Sequence, residues 1–289
     1  MSNAQQARMG FGTGLPALQS APDAARLIEG ALDSGIRHID TAPLYLWGAA
    51  ESLVGQVATR RRNDMFIVSK TGLQPPSAGA RVAAKLGRVL SRSAQHAEPR
   101  SGLFAPAQVI ASVEKSLRAL QTDRLDALLL HEVRPHDMSD ALIETLRKIK
   151  DQGKALAIGL ATDGESTHAI ARAYPGFFDI FQTAWGDSSI ASARPCIFHS
   201  VLQRRGAAIA RRAANDGDFA RRIAETADVD PLDSDALGSL LMRAAMTETR
   251  GGVVLFSSAN PTRIAANARL TPLDPNLLQK LRLIWSNIS

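Results

Sequence analysis

Short apolar runs alternate along the whole chain with longer stretches in which apolar residues recur every third or fourth position. The first pattern predicts buried strands over 8–13, 37–42, 65–70, 127–131, 155–161, 178–184, 196–201 and 252–257. The second predicts amphipathic helices near 23–34, 50–61, 106–121, 139–152, 164–173, 218–226, 234–248 and 261–268. Asp23, Ser139 and Ser234 stand where helix N-caps belong, and Gly35 and Gly153 where helices stop. Repeated strand–helix units with no break in composition predict one α/β domain over 1–289, a closed parallel (β/α)8 TIM barrel. A doubly wound open sheet is the competing arrangement. The run Gly10-Phe11-Gly12-Thr13-Gly14 lacks the third glycine of a dinucleotide fingerprint, since Leu15 and Pro16 follow, so it reads as a tight strand end.

Composition narrows this picture without changing it. A chain of 289 residues suits one barrel, and 45% hydrophobic residues is a globular proportion. No apolar run is long enough to cross a bilayer, and residues 1–9 lack the apolar core of a signal peptide, so a cytoplasmic location is expected. One cysteine, Cys196, permits no internal disulfide and no cysteine-rich zinc site. No His/Asp/Glu cluster has metal-ligand spacing, so no metal is expected. The net charge of +6 raises the question of nucleic acid. The arginines are scattered, as at Arg60-Arg61-Arg62 and Arg211-Arg212, without the interleaved aromatics that base stacking needs. The charge instead reads as a solvated surface suited to a phosphorylated small molecule, with no nucleic-acid or membrane partner. Residues 71–105, rich in Pro, Gly, Ser and Arg, form a connection long enough to be functional, expected to project over the barrel mouth.

Chemistry-bearing residues gather at successive predicted strand ends. Asp40 closes the second strand with Tyr45 just beyond it, Lys70 closes the third and His131 the fourth. Barrel enzymes carry their catalytic groups at such ends. A phenol with an ordinary pKa of about 10 is a weak acid at neutrality. A neighbouring ammonium favours its ionised form and lowers that pKa, a carboxylate keeps the ammonium charged, and an imidazole can orient a carbonyl. The set could protonate a carbonyl oxygen as hydride reaches its carbon. Alone, Asp40 reads as a helix cap and His131 as a core histidine; their company lifts both. His38 and His168 keep the plain reading of surface or loop imidazoles. Trp47 and Trp185 follow strand ends and are candidate walls of an apolar substrate pocket, and Trp285 a cover or helix anchor.

The chain resembles the aldo-keto reductases along nearly its whole length. The resemblance rests on Asp40-Thr41-Ala42-Pro43-Leu44-Tyr45, on Glu51 and Gly55, on Ser69-Lys70 and on Leu129-Leu130-His131. It implies a barrel that binds NADPH across its mouth and exchanges hydride with an aldehyde or ketone. Tyr45 would be the general acid, Lys70 and Asp40 its tuning partners, and His131 the group that orients the carbonyl. For the cofactor it implies Gly12, Thr13, Gln182, His199 and Ser200 near the nicotinamide. It further implies Ser257, Ser258, Arg263 and Asn267 around the adenosine phosphate, with backbone N–H groups from a helix starting near Pro261.

Several positions depart from the family pattern. Ser257 replaces a lysine, Ala266 a glutamate, Ala161-Thr162 a Ser-Asn pair, Leu46 a glycine and His199 a stacking tyrosine. They suggest weaker or less selective cofactor binding. A second reading follows from them: a cofactor-binding regulatory protein on the same fold, with little turnover.

Overall fold

Each strand of the computed structural model lies parallel to its two neighbours, and the eighth returns to the first, so the sheet closes in the order β1 to β8. The structure describes residues 8–19, 23–75, 103–186, 196–203, 205–249 and 251–285. The strands are β1 (Arg8–Gly12), β2 (His38–Asp40), β3 (Phe66–Thr71), β4 (Leu125–His131), β5 (Ala155–Ala161), β6 (Ile180–Ala184), β7 (Cys196–His199) and β8 (Val253–Phe256). Pairing of Arg8 with Val253 and of Phe11 with Phe256 makes the closure, which excludes the open sheet.

The described helices are α1 (Pro16–Gln19), α2 (Ala24–Asp33), α3 (Ala50–Arg61), α4 (Pro106–Leu120), α5 (Asp140–Asp151) and α6 (Gly164–Ala173). They continue as α7 (Arg205–Asn215), α8 (Gly217–Ala227), α9 (Ser234–Glu248), α10 (Pro261–Ala268) and α11 (Pro275–Trp285). Helix α7 escapes the periodicity because it buries only Gly206, Ile209 and Ala213 beneath a surface of arginine and alanine. Ser139 caps α5 by accepting from the Leu142 N–H. At α9 the cap is Asp233, not Ser234, because Ser234 is already helical and the preceding carboxylate takes the Asp235 and Ala236 N–H groups. Asp23 precedes α2 without a side-chain cap bond. Gly35 and Gly153 follow their helices at φ 90° and 70°, the left-handed stop that glycine adopts without penalty.

Strand parity divides the core. Val68, Ala127, Leu129 and Ala161 point into the barrel and form a small cluster of their own, while Ile39, Ile67, Leu128 and Leu130 point outward into the large helix-facing core. Gly55 is explained by packing: a Cβ there would lie 2.3 Å from the Ala119 carbonyl oxygen, where α3 meets α4. No described helix is long and apolar enough to cross a membrane. Most of the 71–105 connection, and so its expected place over the mouth, lies outside the described residues.

Candidate active site

Inward parity at the strand ends delivers the acid, the amine and the carboxylate to one place. Lys70, 2% exposed, donates from Nζ to Asp40 Oδ1 at 2.7 Å and to the Thr41 carbonyl at 3.0 Å. Gln182, from β6 across the barrel, donates from Nε2 to Asp40 Oδ2 at 3.0 Å. Thr13 ties β1 to β2, its N–H and Oγ1 both donating to the Asp40 carbonyl. The Lys70 ammonium lies 4.8 Å from the centre of the Tyr45 ring, and His131 meets that ring edge-on with centroids 6.0 Å apart. Gly14 leaves the other side clear: a Cβ there would touch the Tyr45 ring at 3.4 Å. Ser69 donates to the buried carboxylate of Glu51 at 2.6 Å, and burial raises the Glu51 carboxyl above its ordinary range.

These neighbours assign protonation states. Burial raises the Tyr45 phenol above its usual value, and the Lys70 ammonium offsets only part of that. The expected lowering is therefore present as a contribution but loses to desolvation, so the phenol is held as a protonated acid. Burial works against the Lys70 ammonium, yet the attraction of Asp40 and Tyr45 leaves it above its usual value. His131 is lowered to about 3 by burial, with Lys70 and His199 adding to the effect. It is thus a neutral imidazole, and its Nδ1 has no hydrogen-bond partner among the described residues.

A cavity of about 350 Å³ opens above this cluster. Of the residues expected at the site, Gly12, Asp40, Tyr45, Lys70, His131, Gln182, His199, Ser200 and Ser257 line it. Glu132 and Met242 also line it and carried no signal in the sequence. Glu132 and Ser200 each follow an imidazole and take φ of 57° and 56°, turning the chain out of the strand at once. Neither is glycine, so turn chemistry did not mark them. His199 Nδ1 lies 2.9 Å from Ser200 Oγ.

Other expected positions lie outside the lining. Trp185 is a core residue, 1% exposed, donating from Nε1 to Glu248 Oε2 at 2.8 Å beneath the Arg205 guanidinium. It is not a pocket wall, because the turn after β6 carries it back into the helix layer. Trp47 is exposed at φ 58°, beside Leu46 at φ 50°. Leu46 thus keeps the left-handed backbone that glycine favours, at a cost of about 1–2 kcal/mol. Ser257 Oγ donates to the Gly12 carbonyl at 2.6 Å. Ser258 Oγ accepts from the Asn260 N–H at 3.0 Å. Arg263, exposed on α10, pairs with Asp235 at 2.9 Å, and Asn267 is buried on the same helix. The expectation of free N–H groups at the start of α10 is corrected: Asn260 Oδ1 already accepts from Thr262 and Arg263. His168 is exposed beside Arg172, as expected, whereas His38 is buried at the lower end of the barrel.

The sequence model described as the Aldo/keto reductase family matches residues 8–180. D-threo-aldose 1-dehydrogenase of a Pseudomonas species is 30% identical over 208 residues, covering 60% of this chain and 58% of that protein. Aldo-keto reductase YhdN of Bacillus subtilis is 31% identical over 136 residues, covering 46% and 35%. The chain therefore spans about half, or less, of the length of these relatives. Among solved structures, the holo form of aldo-keto reductase AKR11C1 from Bacillus halodurans superposes with a TM-score of 0.67 at 20% identity, covering 96% of this chain and 91% of that one. A Klebsiella pneumoniae aldo-keto reductase in complex with NADPH gives 0.65 at 21% identity, covering 96% and 90%. At such identities the likeness speaks for the barrel alone. Asp40, Tyr45, Lys70 and His131 all fall inside the matched stretch, which is more than half of the sequence, and the chain belongs to the aldo/keto reductase family.

Proposed function

We propose that this protein is an NADP(H)-dependent oxidoreductase that reduces an aldehyde or ketone to an alcohol, or runs the reverse reaction, with Tyr45 as general acid. The observation that carries the reading is the buried Lys70–Asp40 pair beside a protonated Tyr45. In the reductive direction a bound NADPH would supply hydride to the carbonyl carbon. Tyr45 Oη gives its proton to the carbonyl oxygen, and the Lys70 ammonium stabilises the phenolate left behind until solvent returns a proton. Neutral His131 can donate or accept one hydrogen bond at that oxygen without adding charge.

The residues present fit a nicotinamide cofactor at one end. Gln182 Oε1 is a buried acceptor without a partner among the described residues, and it belongs to a side chain in the cavity wall. Its Nε2 is committed to Asp40, so Oε1 is left to accept from a carboxamide N–H. The Gly12 backbone can approach a flat ring, since a Cβ there would already meet Ser257 Oγ at 2.9 Å. At the phosphate end, Arg263 would hold a 2′-phosphate by exchanging or sharing Asp235.

The test is NADPH oxidation across a panel of aldehydes and ketones, aldoses included because of the name of the Pseudomonas relative. Consumption of NADPH dependent on the carbonyl supports the reading. NADPH binding with no turnover on any of them would favour the regulatory alternative. In the same assay Arg263→Ala should weaken NADPH by about 1.5–3 kcal/mol, the worth of hydrogen bonds to a charged group, and leave NADH nearly unchanged. Equal weakening of both cofactors would show that Arg263 serves only its pairing with Asp235.

A further inference from the structure

Among the described residues, the barrel is also open at the end away from Tyr45. A cavity of about 670 Å³ enters there between the strand N-termini, and it shares no lining residue with the catalytic cavity. The parity that lifts Asp40 to the upper mouth puts His38, two residues earlier on β2, at the lower one. Phe66, four residues before Lys70 on β3, arrives beside it. The His38 and Phe66 rings stack with centroids 5.5 Å apart and planes 16° from parallel.

Two features of this lower mouth have no structural use. His38 is only 7% exposed, yet its Nε2 has no hydrogen-bond partner among the described residues. A buried polar atom left so forfeits the hydrogen bond it had in water. Burial lowers the imidazole to about 4, so near neutrality it is an uncharged ring able to donate one N–H. The second feature is charge. Arg8, Arg37 and Arg269 line the cavity, and among the described residues no Asp or Glu does. Arg37 is bound to Asp64 at 2.9 Å, while Arg8 and Arg269 have no ion-pair partner among the described residues. Ile180, Ile197, Met246 and Val253 also line the cavity and give it an apolar part, together with the exposed Phe66.

We propose that this lower mouth binds a small aromatic carboxylate, its ring against Phe66 and His38 and its carboxylate toward Arg8 and Arg269. The aromatic body follows from the flat stacked floor and apolar wall. A carboxylate suits the polar groups better than a phosphate ester, because the two rim guanidiniums without ion-pair partners among the described residues satisfy a single charge. A dianion would lose more hydration on entering an apolar cavity. The site stands on its own geometry and does not depend on the catalytic reading.

Titration calorimetry of the full chain with 1-naphthoate tests it, with the neutral 1-naphthalenemethanol as control. Naphthoate should bind about tenfold or more tightly than the alcohol, and the double variant Arg8→Gln/Arg269→Gln should lose about the same factor. Both arginines are exposed, so the double variant should fold and keep its NADPH oxidation rate. The His38 ring resonances should shift on adding naphthoate. Absence of binding at millimolar naphthoate would overturn the proposal, as would equal affinity for the alcohol. Undiminished binding to the double variant, or His38 resonances that stay in place, would place the ligand elsewhere and overturn it as well.

Discussion

Tyr45→Phe is expected to lower kcat by about a hundred- to ten-thousandfold, the range in which a positioned general acid contributes. The substitution removes one oxygen and little else. The ring keeps its edge-on contact with His131 and its place beside Lys70, so the cavity keeps its shape. NADPH affinity should therefore change little, and the loss should fall on kcat rather than on binding. The wild-type pH profile checks the same assignment. Burial raises the phenol above its ordinary value, so reduction should run evenly through neutrality and fall only in alkaline solution as Tyr45 ionises. Steady-state rates and a fluorescence titration with NADPH measure both quantities. A kcat within tenfold of wild type would remove Tyr45 from the proton transfer.

Lys70→Met should damage folding and catalysis together. Lys70 and Asp40 are each 2% exposed, and the ammonium is the only full positive charge bonded to that carboxylate among the described residues. Breaking a buried pair from one side costs about 3–5 kcal/mol, because the remaining charge loses its compensation. The Gln182 N–H still bonds Asp40 Oδ2, which favours the lower part of that range. The sign with pH follows from the direction of the shift. Lys70 is held above its ordinary value, so its stabilisation is complete at neutral pH and lost only as strongly alkaline solution deprotonates it. The variant should thus show its full deficit at pH 7, and a smaller one in strongly alkaline solution, where wild-type Lys70 has itself lost its charge. Catalysis should slow as well, since the phenolate formed on Tyr45 would have no ammonium beside it. Urea unfolding at two pH values measures the first effect, and the pH–rate profile the second. Unfolding midpoints that match wild type would mean that water, not Lys70, compensates Asp40.

Much of this protein is determined locally and so could be read from its sequence. Apolar periodicity marked every strand to within two residues at either end, because a buried parallel strand is a continuous apolar run whatever it packs against. It marked α5 equally well, where Leu142, Ile143, Leu146 and Ile149 recur on one face. It missed α7, whose buried face is mostly glycine and alanine. Their positions at predicted strand ends then put Asp40, Lys70 and His131 at the upper mouth before any contact was known.

What the sequence could not determine is how those groups act on residues far away in the chain. The Gln182–Asp40 bond joins positions 142 apart, and no local pattern encodes it. The net rise of the Tyr45 phenol is a contest between desolvation and the Lys70 charge, and burial is a property of the whole barrel. Trp185 looked like a pocket wall until the turn after β6 carried it to Glu248. Arg263 and the first N–H groups of α10 looked free until Asp235 and Asn260 were seen to hold them. His38 read as a surface imidazole and became a buried one, stacked on Phe66. Element type and strand parity follow from neighbours a few residues apart, so the sequence by itself determined them. Protonation state, competing partners and access to a cavity depend on which distant side chains burial brings together, and only the tertiary structure decided those.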